Sequence, residues 1–215
     1  MGAIEHPFEF EDRLRRRLGL SETACIAGID EAGRGPLAGP VTAAAVCLPP
    51  GFDLPVNDSK KLSARQRDEL AAALKSYPGV RYVVVLRTPA EIDRLNILRA
   101  TQSAMREAAE RVLQPDTDAT PDGALVDGLS FSPFPCPVDF LVKGDSKSAS
   151  IAAASILAKT ARDAIMVELD KQYPGYGFAR HKGYGTAEHL EALRRLGPCP
   201  EHRRSFSPVC QPTLF

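Results

Sequence analysis

Three short apolar runs in this chain each give way to a carboxylate. Residues 24–29 lead into Asp30-Glu31, residues 124–126 into Asp127, and residues 138–142, after Lys143-Gly144, into Asp145. Apolar runs this short, bounded by turn formers, read as buried strands. In folds that alternate strands with helices, ligands sit at the carboxyl ends of the strands. Parallel or adjacent strands therefore gather Asp30, Glu31, Asp127 and Asp145 into one acidic patch. Like charges a few ångströms apart repel strongly where the dielectric is low, and a hard divalent cation relieves that repulsion. An all-carboxylate set suits Mg2+ or Mn2+, and the lack of histidine and cysteine in the patch argues against zinc. Two such ions about 4 Å apart can activate a water and stabilise the leaving oxygen of a phosphodiester.

The remaining pattern supplies the frame. Phe10, Leu14 and Leu18 recur at helical spacing, predicting an N-terminal amphipathic helix over residues 8–18. Residues 41–48 read as a second strand, and residues 81–87, with three consecutive valines, as the clearest one. Ser63-Ala64-Arg65-Gln66 has the form of a capping box that opens a helix. Residues 91–113 read as one long helix, residues 114–122 as a loop, and residues 148–169 as an alanine-dense helix able to approach a neighbour closely. Residues 186–196 form a further helix before a proline-rich tail. Three early strands followed by alternating helices and strands indicate an α/β domain with a mixed sheet. The 215 residues suit one domain: an N-terminal helix, a core over about 24–170 and a helical C-terminal extension with tail over 171–215.

Composition excludes several classes. With 44% hydrophobic and 25% charged residues the chain is an ordinary globular protein, and no apolar run is long enough to cross a membrane. Residues 1–10 lack the apolar core of a secretory signal, so a cytoplasmic location is expected. Five cysteines (Cys25, Cys47, Cys136, Cys199, Cys210) form no C-x-x-C pair, which predicts free thiols in a reducing compartment. Lys+Arg and Asp+Glu are both 27, so net charge is silent about nucleic acid. Residues 171–204 hold seven basic side chains against three acidic ones, an excess that reads as a solvated or phosphate-facing surface.

Between the first two strands lies Gly33-Arg34-Gly35-Pro36-Leu37-Ala38-Gly39-Pro40. It fits neither a Walker A loop, which needs a Lys-Ser/Thr pair after its last glycine, nor the Gly-x-Gly-x-x-Gly dinucleotide fingerprint. What it offers is a backbone that can come close to a ligand, and one arginine suited to phosphate.

Taken together these segments resemble bacterial ribonuclease HII. The resemblance runs from Gly28-Ile29-Asp30-Glu31-Ala32-Gly33-Arg34-Gly35-Pro36-Leu37-Ala38-Gly39-Pro40-Val41 through Asp58-Ser59-Lys60-Lys61-Leu62-Ser63, Asn96-Ile97-Leu98 and Val126-Asp127-Gly128. It continues with Lys143-Gly144-Asp145-Ser146, the helix from Ile151 to Lys159, Arg162-Asp163 and His181-Lys182-Gly183-Tyr184-Gly185-Thr186, covering roughly residues 24–208. It implies an RNase H-like fold and a metal-dependent endonuclease of ribonuclease H type 2. Such an enzyme cuts the RNA strand of RNA–DNA hybrids and the 5′ side of ribonucleotides embedded in duplex DNA, leaving 5′-phosphates, in the service of ribonucleotide removal. By the family's pattern Asp30, Glu31, Asp127 and Asp145 hold two Mg2+ or Mn2+ ions. Gly33, Arg34 and Gly35 sense the 2′-hydroxyl, Tyr184 packs on the sugar beyond the junction, and Lys60 and Lys143 face phosphates. Asp163 competes with Asp145 as fourth ligand; the resemblance favours Asp145 and leaves Asp163 to helix packing or support. Leu129 departs from the family, which often has asparagine there. Only 29 residues precede Asp30, too few for the extra N-terminal domain of ribonuclease HIII.

Two other functions are open to such a sequence. One is a resolvase- or transposase-type DNA nuclease of the same fold, which needs no 2′-hydroxyl sensor. The other is a non-catalytic nucleic-acid binding module, against which the four acids weigh, since carboxylates repel phosphates. A monomer is expected. The tail Gln211-Pro212-Thr213-Leu214-Phe215 resembles the Gln-x-x-Leu-Phe peptide that docks bacterial replication proteins on the sliding clamp, through Gln211, Leu214 and Phe215.

Overall fold

A computed structural model describes residues 4–57, 59, 62–113 and 121–210. Its centre is a five-stranded sheet: β1 (Ile26–Ala32), β2 (Val41–Cys47), β3 (Arg81–Arg87), β4 (Gly123–Asp127) and β5 (Val138–Leu141), in the spatial order β3-β2-β1-β4-β5. The glycine-rich connection turns β2 back antiparallel to β1, and β3 pairs antiparallel with β2. On the other side β4 and β5 run parallel to β1, so the sheet is mixed.

Strand alternation sorts β2 onto two cores. Ala43 and Ala45 pack with Ala104 and Ala108 of α4 (Ile97–Arg111), whereas Ala44 and Val46 pack with the alanines of α5 (Ala149–Gln172). Small residues on both sides let the helices lie close to the sheet. Ser148 accepts the Ile151 N–H and opens α5; Thr186 does the same for His189 and opens α7 (Ala187–Leu196). The capping box at Ser63 and Gln66 is formed, with both bonds in place, and starts α2 (Ala64–Ser76). Helix α1 (Glu9–Leu18) buries Leu14 against Ile26, Leu125 and Ile151.

Two expectations change, and one element is added. The single helix expected over residues 91–113 is two, α3 (Pro89–Leu95) and α4, because Asn96 adopts φ 67° and ψ 160° and caps α4 by accepting the Arg99 N–H. A capping box between Thr88 and Glu91 starts α3. A short helix, α6 (Phe178–His181), follows the long α5. The cysteines are not all free: Cys25 and Cys47 form a disulfide, while Cys136, Cys199 and Cys210 stay reduced. The antiparallel register is the reason. Ala27 lies opposite Cys47, so Cys25, two residues earlier, reaches Cys47 diagonally with Cα atoms 6.1 Å apart. The expected loop over 114–122 lies mostly outside the described residues. Among the described residues no helix is long and apolar enough to cross a membrane.

Candidate active site

The acidic patch forms where β4 ends alongside β1, which runs on to Ala32. Parallel pairing of Ile29 with Val126 brings Asp30, still within β1, next to Asp127 at the end of β4. Asp30 is 4% exposed; its carboxylate accepts the Glu31 N–H at 2.7 Å and is held by the Ser155 hydroxyl of α5. Burial first, then the charges of Glu31 and Asp127, push its pKa well above the usual carboxylate range. Asp127 Oδ1 accepts the Gly144 N–H at 2.6 Å. That bond ties the 3-10 turn Gly144–Ser146, and with it the buried Asp145, to the end of β4. Glu31 faces the Arg34 guanidinium at 3.5 Å.

The glycine-rich loop borders this patch. Gly33 is buried, while Arg34 and Gly35 are exposed. A β-carbon on Gly35 would lie 3.8 Å from Cε1 of Tyr184, so the loop and the half-exposed tyrosine ring are neighbours. Backbone bonds from Leu37 N–H to Gly183 O and from Gly39 N–H to Glu201 O, each 2.8 Å, join the loop to the C-terminal segments. Lys143 is exposed beside Gly144 with φ 58°. Lys60, Gln211, Leu214 and Phe215 lie outside the described residues. Asp163 sits elsewhere. It accepts from Lys159 at 2.6 Å and faces Arg67 of α2 at 3.9 Å, about 12 Å along α5 from Ser155 at 1.5 Å per residue.

The comparisons with known proteins agree with one another. The sequence model of the family described as Ribonuclease HII matches residues 27–209. The chain is 53% identical to the Ribonuclease HII of Syntrophotalea carbinolica over 204 residues, 94% of this chain and 93% of that one. It belongs to the ribonuclease HII family. The chain is therefore a hydrolase, a type 2 ribonuclease H. Solved relatives carry the same fold. The ribonuclease H2 of Pyrococcus horikoshii superposes with a TM-score of 0.72 at 27% identity, over 87% of this chain and 96% of that one. The ribonuclease HII in the PCNA:RNase HII complex from Archaeoglobus fulgidus superposes with a TM-score of 0.69 at 28% identity, over 85% and 95%. The mixed sheet with helices on both faces is thus the RNase H-like α/β fold.

Several residues around this ribonuclease HII site carry no mark of their role in the sequence. Ser155 looked like one more small residue of the alanine-dense helix, yet it holds Asp30 and lies 2.7 Å from the Ser59 hydroxyl. Arg203, one of the seven basic side chains over 171–204, is fully buried rather than solvated, as is Arg162. Much of the remaining basic excess is locally neutralised: Lys171 pairs with Glu168, Arg180 with Glu188 and Arg194 with Glu191. Residues 171–204 therefore do not form one free phosphate-facing surface.

Proposed function

We propose that Asp30, Glu31, Asp127 and Asp145 hold divalent metal, Mg2+ or Mn2+, and that the protein cuts the RNA strand of RNA–DNA hybrids. It also cuts duplex DNA on the 5′ side of an embedded ribonucleotide, leaving a 3′-hydroxyl and a 5′-phosphate. The observation that carries this reading is the buried Asp30 carboxyl, pressed by Glu31 and Asp127 at the carboxyl edge of the sheet. Magnesium keeps several waters and binds through one or two carboxylates together with substrate phosphates. The donor set, oxygen alone and crowded with negative charge, fits such an ion.

When bound, the metal lowers the pKa of a water and neutralises charge on the leaving 3′-oxygen. The chain's own groups do the positioning. Ser155 and the Glu31 N–H hold Asp30, and the Gly144 N–H holds Asp127, which fixes the two carboxylates beside one another at the acidic edge of the sheet. Gly33, Arg34 and Gly35 recognise the 2′-hydroxyl, the group that distinguishes RNA from DNA. Tyr184 packs on the next sugar, and Lys60 and Lys143 face phosphates. Ribonucleotide excision in the cytoplasm is the role this specificity serves. The Archaeoglobus relative is described in complex with PCNA, which supports a sliding clamp as partner for the tail residues Gln211, Leu214 and Phe215. Truncation after Cys210 is expected to abolish clamp binding; unchanged affinity would sink that part.

The deciding experiment uses a labelled DNA duplex with one ribonucleotide, read at single-nucleotide resolution with Mg2+ or Mn2+. Cleavage immediately 5′ of the ribonucleotide, absent on the all-DNA control, is expected. Equal cutting of the all-DNA duplex would point instead to a resolvase-type nuclease.

A further inference from the structure

Two buried arginines lie beneath the glycine-rich loop, and neither pairs with a carboxylate among the described residues. Arg203 donates to three loop carbonyls: Nη2 to Gly33 at 2.6 Å, Nη1 to Arg34 at 2.8 Å and Nε to Gly39 at 3.0 Å. Arg162, from α5, donates Nε to the Pro40 carbonyl at 2.9 Å, and Nη2 to those of Ala38 and Lys182 at 3.1 and 3.0 Å. Both side chains are fully buried, and Arg162 Nη1 has no hydrogen-bond partner among the described residues. Burial pushes the Arg203 guanidinium down to about 9. Burying a guanidinium without a carboxylate in contact is costly, and here the backbone carbonyls are what compensate it.

What those bonds fix is the direction of two peptide planes. In a trans peptide the C=O and the following N–H point opposite ways. With the Gly33 and Arg34 carbonyls turned inward onto Arg203, the N–H groups of Arg34 and Gly35 turn outward. Both residues are exposed, and neither amide donates to any described protein group. Gly33 must be glycine for this seat to exist. Its φ is +92°, and a β-carbon there would lie 2.0 Å from Arg162 Nε.

We propose that Arg203, backed by Arg162, is a specificity-determining positioning residue: its fork turns the Arg34 and Gly35 amides toward the substrate sugar and so sets the preference for ribonucleotide over deoxyribonucleotide. This inference rests on the reading of the glycine loop as the 2′-hydroxyl sensor. A lysine at 203 keeps the charge but lacks the planar fork that spans three carbonyls.

The test is Arg203→Lys, checked for folding by circular dichroism. Binding is measured by fluorescence anisotropy in Ca2+, on a duplex with one ribonucleotide and on the same duplex in all-DNA form. The ratio of the two Kd values is expected to fall at least about tenfold from wild type, which corresponds to about 1.4 kcal/mol. A variant that merely lost folded fraction would weaken both affinities by one factor and leave the ratio where it was. An unchanged ratio in folded Arg203→Lys overturns the proposal and leaves the loop reading intact. A wild-type protein with no preference for the ribonucleotide overturns both. If the variant does not fold, 15N-labelled wild type decides. The Arg34 and Gly35 amide resonances must shift on adding the ribonucleotide duplex and not the all-DNA duplex; equal shifts refute the loop reading and the inference with it.

Discussion

The backbone of Ser150 in α5 passes so close to Gly28 in β1 that a β-carbon on Gly28 would lie 2.0 Å from the Ser150 carbonyl carbon. Backbone cannot swing aside as a side chain does, so α5 must shift bodily for any larger residue. Gly28→Ala is therefore expected to destabilise by about 3 kcal/mol or more, at the upper end of overpacking costs. The shift also carries Ser155 away from Asp30, so activity should fall even where the variant is folded. Urea denaturation with cleavage assays below the transition checks both; a loss under 1 kcal/mol would contradict the close approach.

Asp30→Asn should separate stability from activity. The Asp30 carboxyl is buried and repelled by Glu31 and Asp127, so its charged form is disfavoured in the metal-free protein. Replacing it with a neutral isostere is expected to raise the metal-free Tm, by about 2–4 °C for each kcal/mol of relieved repulsion, while cleavage of a ribonucleotide-containing duplex drops to background. A lowered Tm would mean that the Ser155 and Glu31 N–H bonds outweigh the repulsion.

The sheet and its acidic edge were legible because they rest on local signals. Apolar runs, their turn-forming ends and one capping box suffice to place Asp30 and Asp127 near strand ends, and pairing then brings them together. The break at Asn96 was not legible from periodicity, since Leu95 and Ile97 keep the apolar pattern running through it. The capping signal Thr88-Pro89-Ala90-Glu91 would have marked the earlier start. Burial of Arg162 and Arg203 was hidden for a different reason. An arginine carries no mark of its exposure; only the approach of residues 33–40 to α5 and to the C-terminal segment turns these two inward. The Cys25–Cys47 bond likewise follows from strand register, which the spacing of cysteines alone does not reveal.

Glu11 extends the argument to the N-terminal helix. It is 2% exposed and accepts from the Ser148 hydroxyl at 2.7 Å, the Ser150 hydroxyl at 2.6 Å and the Ser150 N–H at 3.1 Å. Its charge thus sits at the N-terminus of α5, where unpaired N–H groups and the helix dipole favour an anion. Glu11→Ala strands these donors in the interior and is expected to cost about 3 kcal/mol, whereas Glu11→Gln, which keeps an acceptor oxygen, should cost about 1 kcal/mol. Equal losses for both variants in urea titrations would show that the negative charge, which both remove, rather than the acceptor oxygen that Gln keeps, is what Glu11 contributes.

Acid should loosen the segment that carries Tyr184. His189 Nδ1 lies 2.9 Å from the Tyr184 carbonyl, so that nitrogen bears the proton and Nε2 accepts. His202 Nε2, 3.0 Å away, then donates to it, and His202 Nδ1 accepts from the Cys199 N–H at 3.1 Å. Only neutral rings complete this chain; a proton on either would set two N–H groups against each other. Burial first, then the neighbouring His189, hold His202 down to about 4, against an unfolded value near 6.5. Between those values the unfolded chain binds more protons, so the stabilisation is present above about pH 6.5 and is lost as pH falls toward 4. From pH 7 to pH 5 the loss attributable to His202 is about 2 kcal/mol. Asp30, whose pKa is raised, changes stability in the opposite direction on acidification, so the measurement belongs in an Asp30→Asn background. Urea denaturation at the two pH values there should show the loss, and the His202 ring should titrate near pH 4 by NMR. A ring titrating near 6.5 would refute the neutral chain.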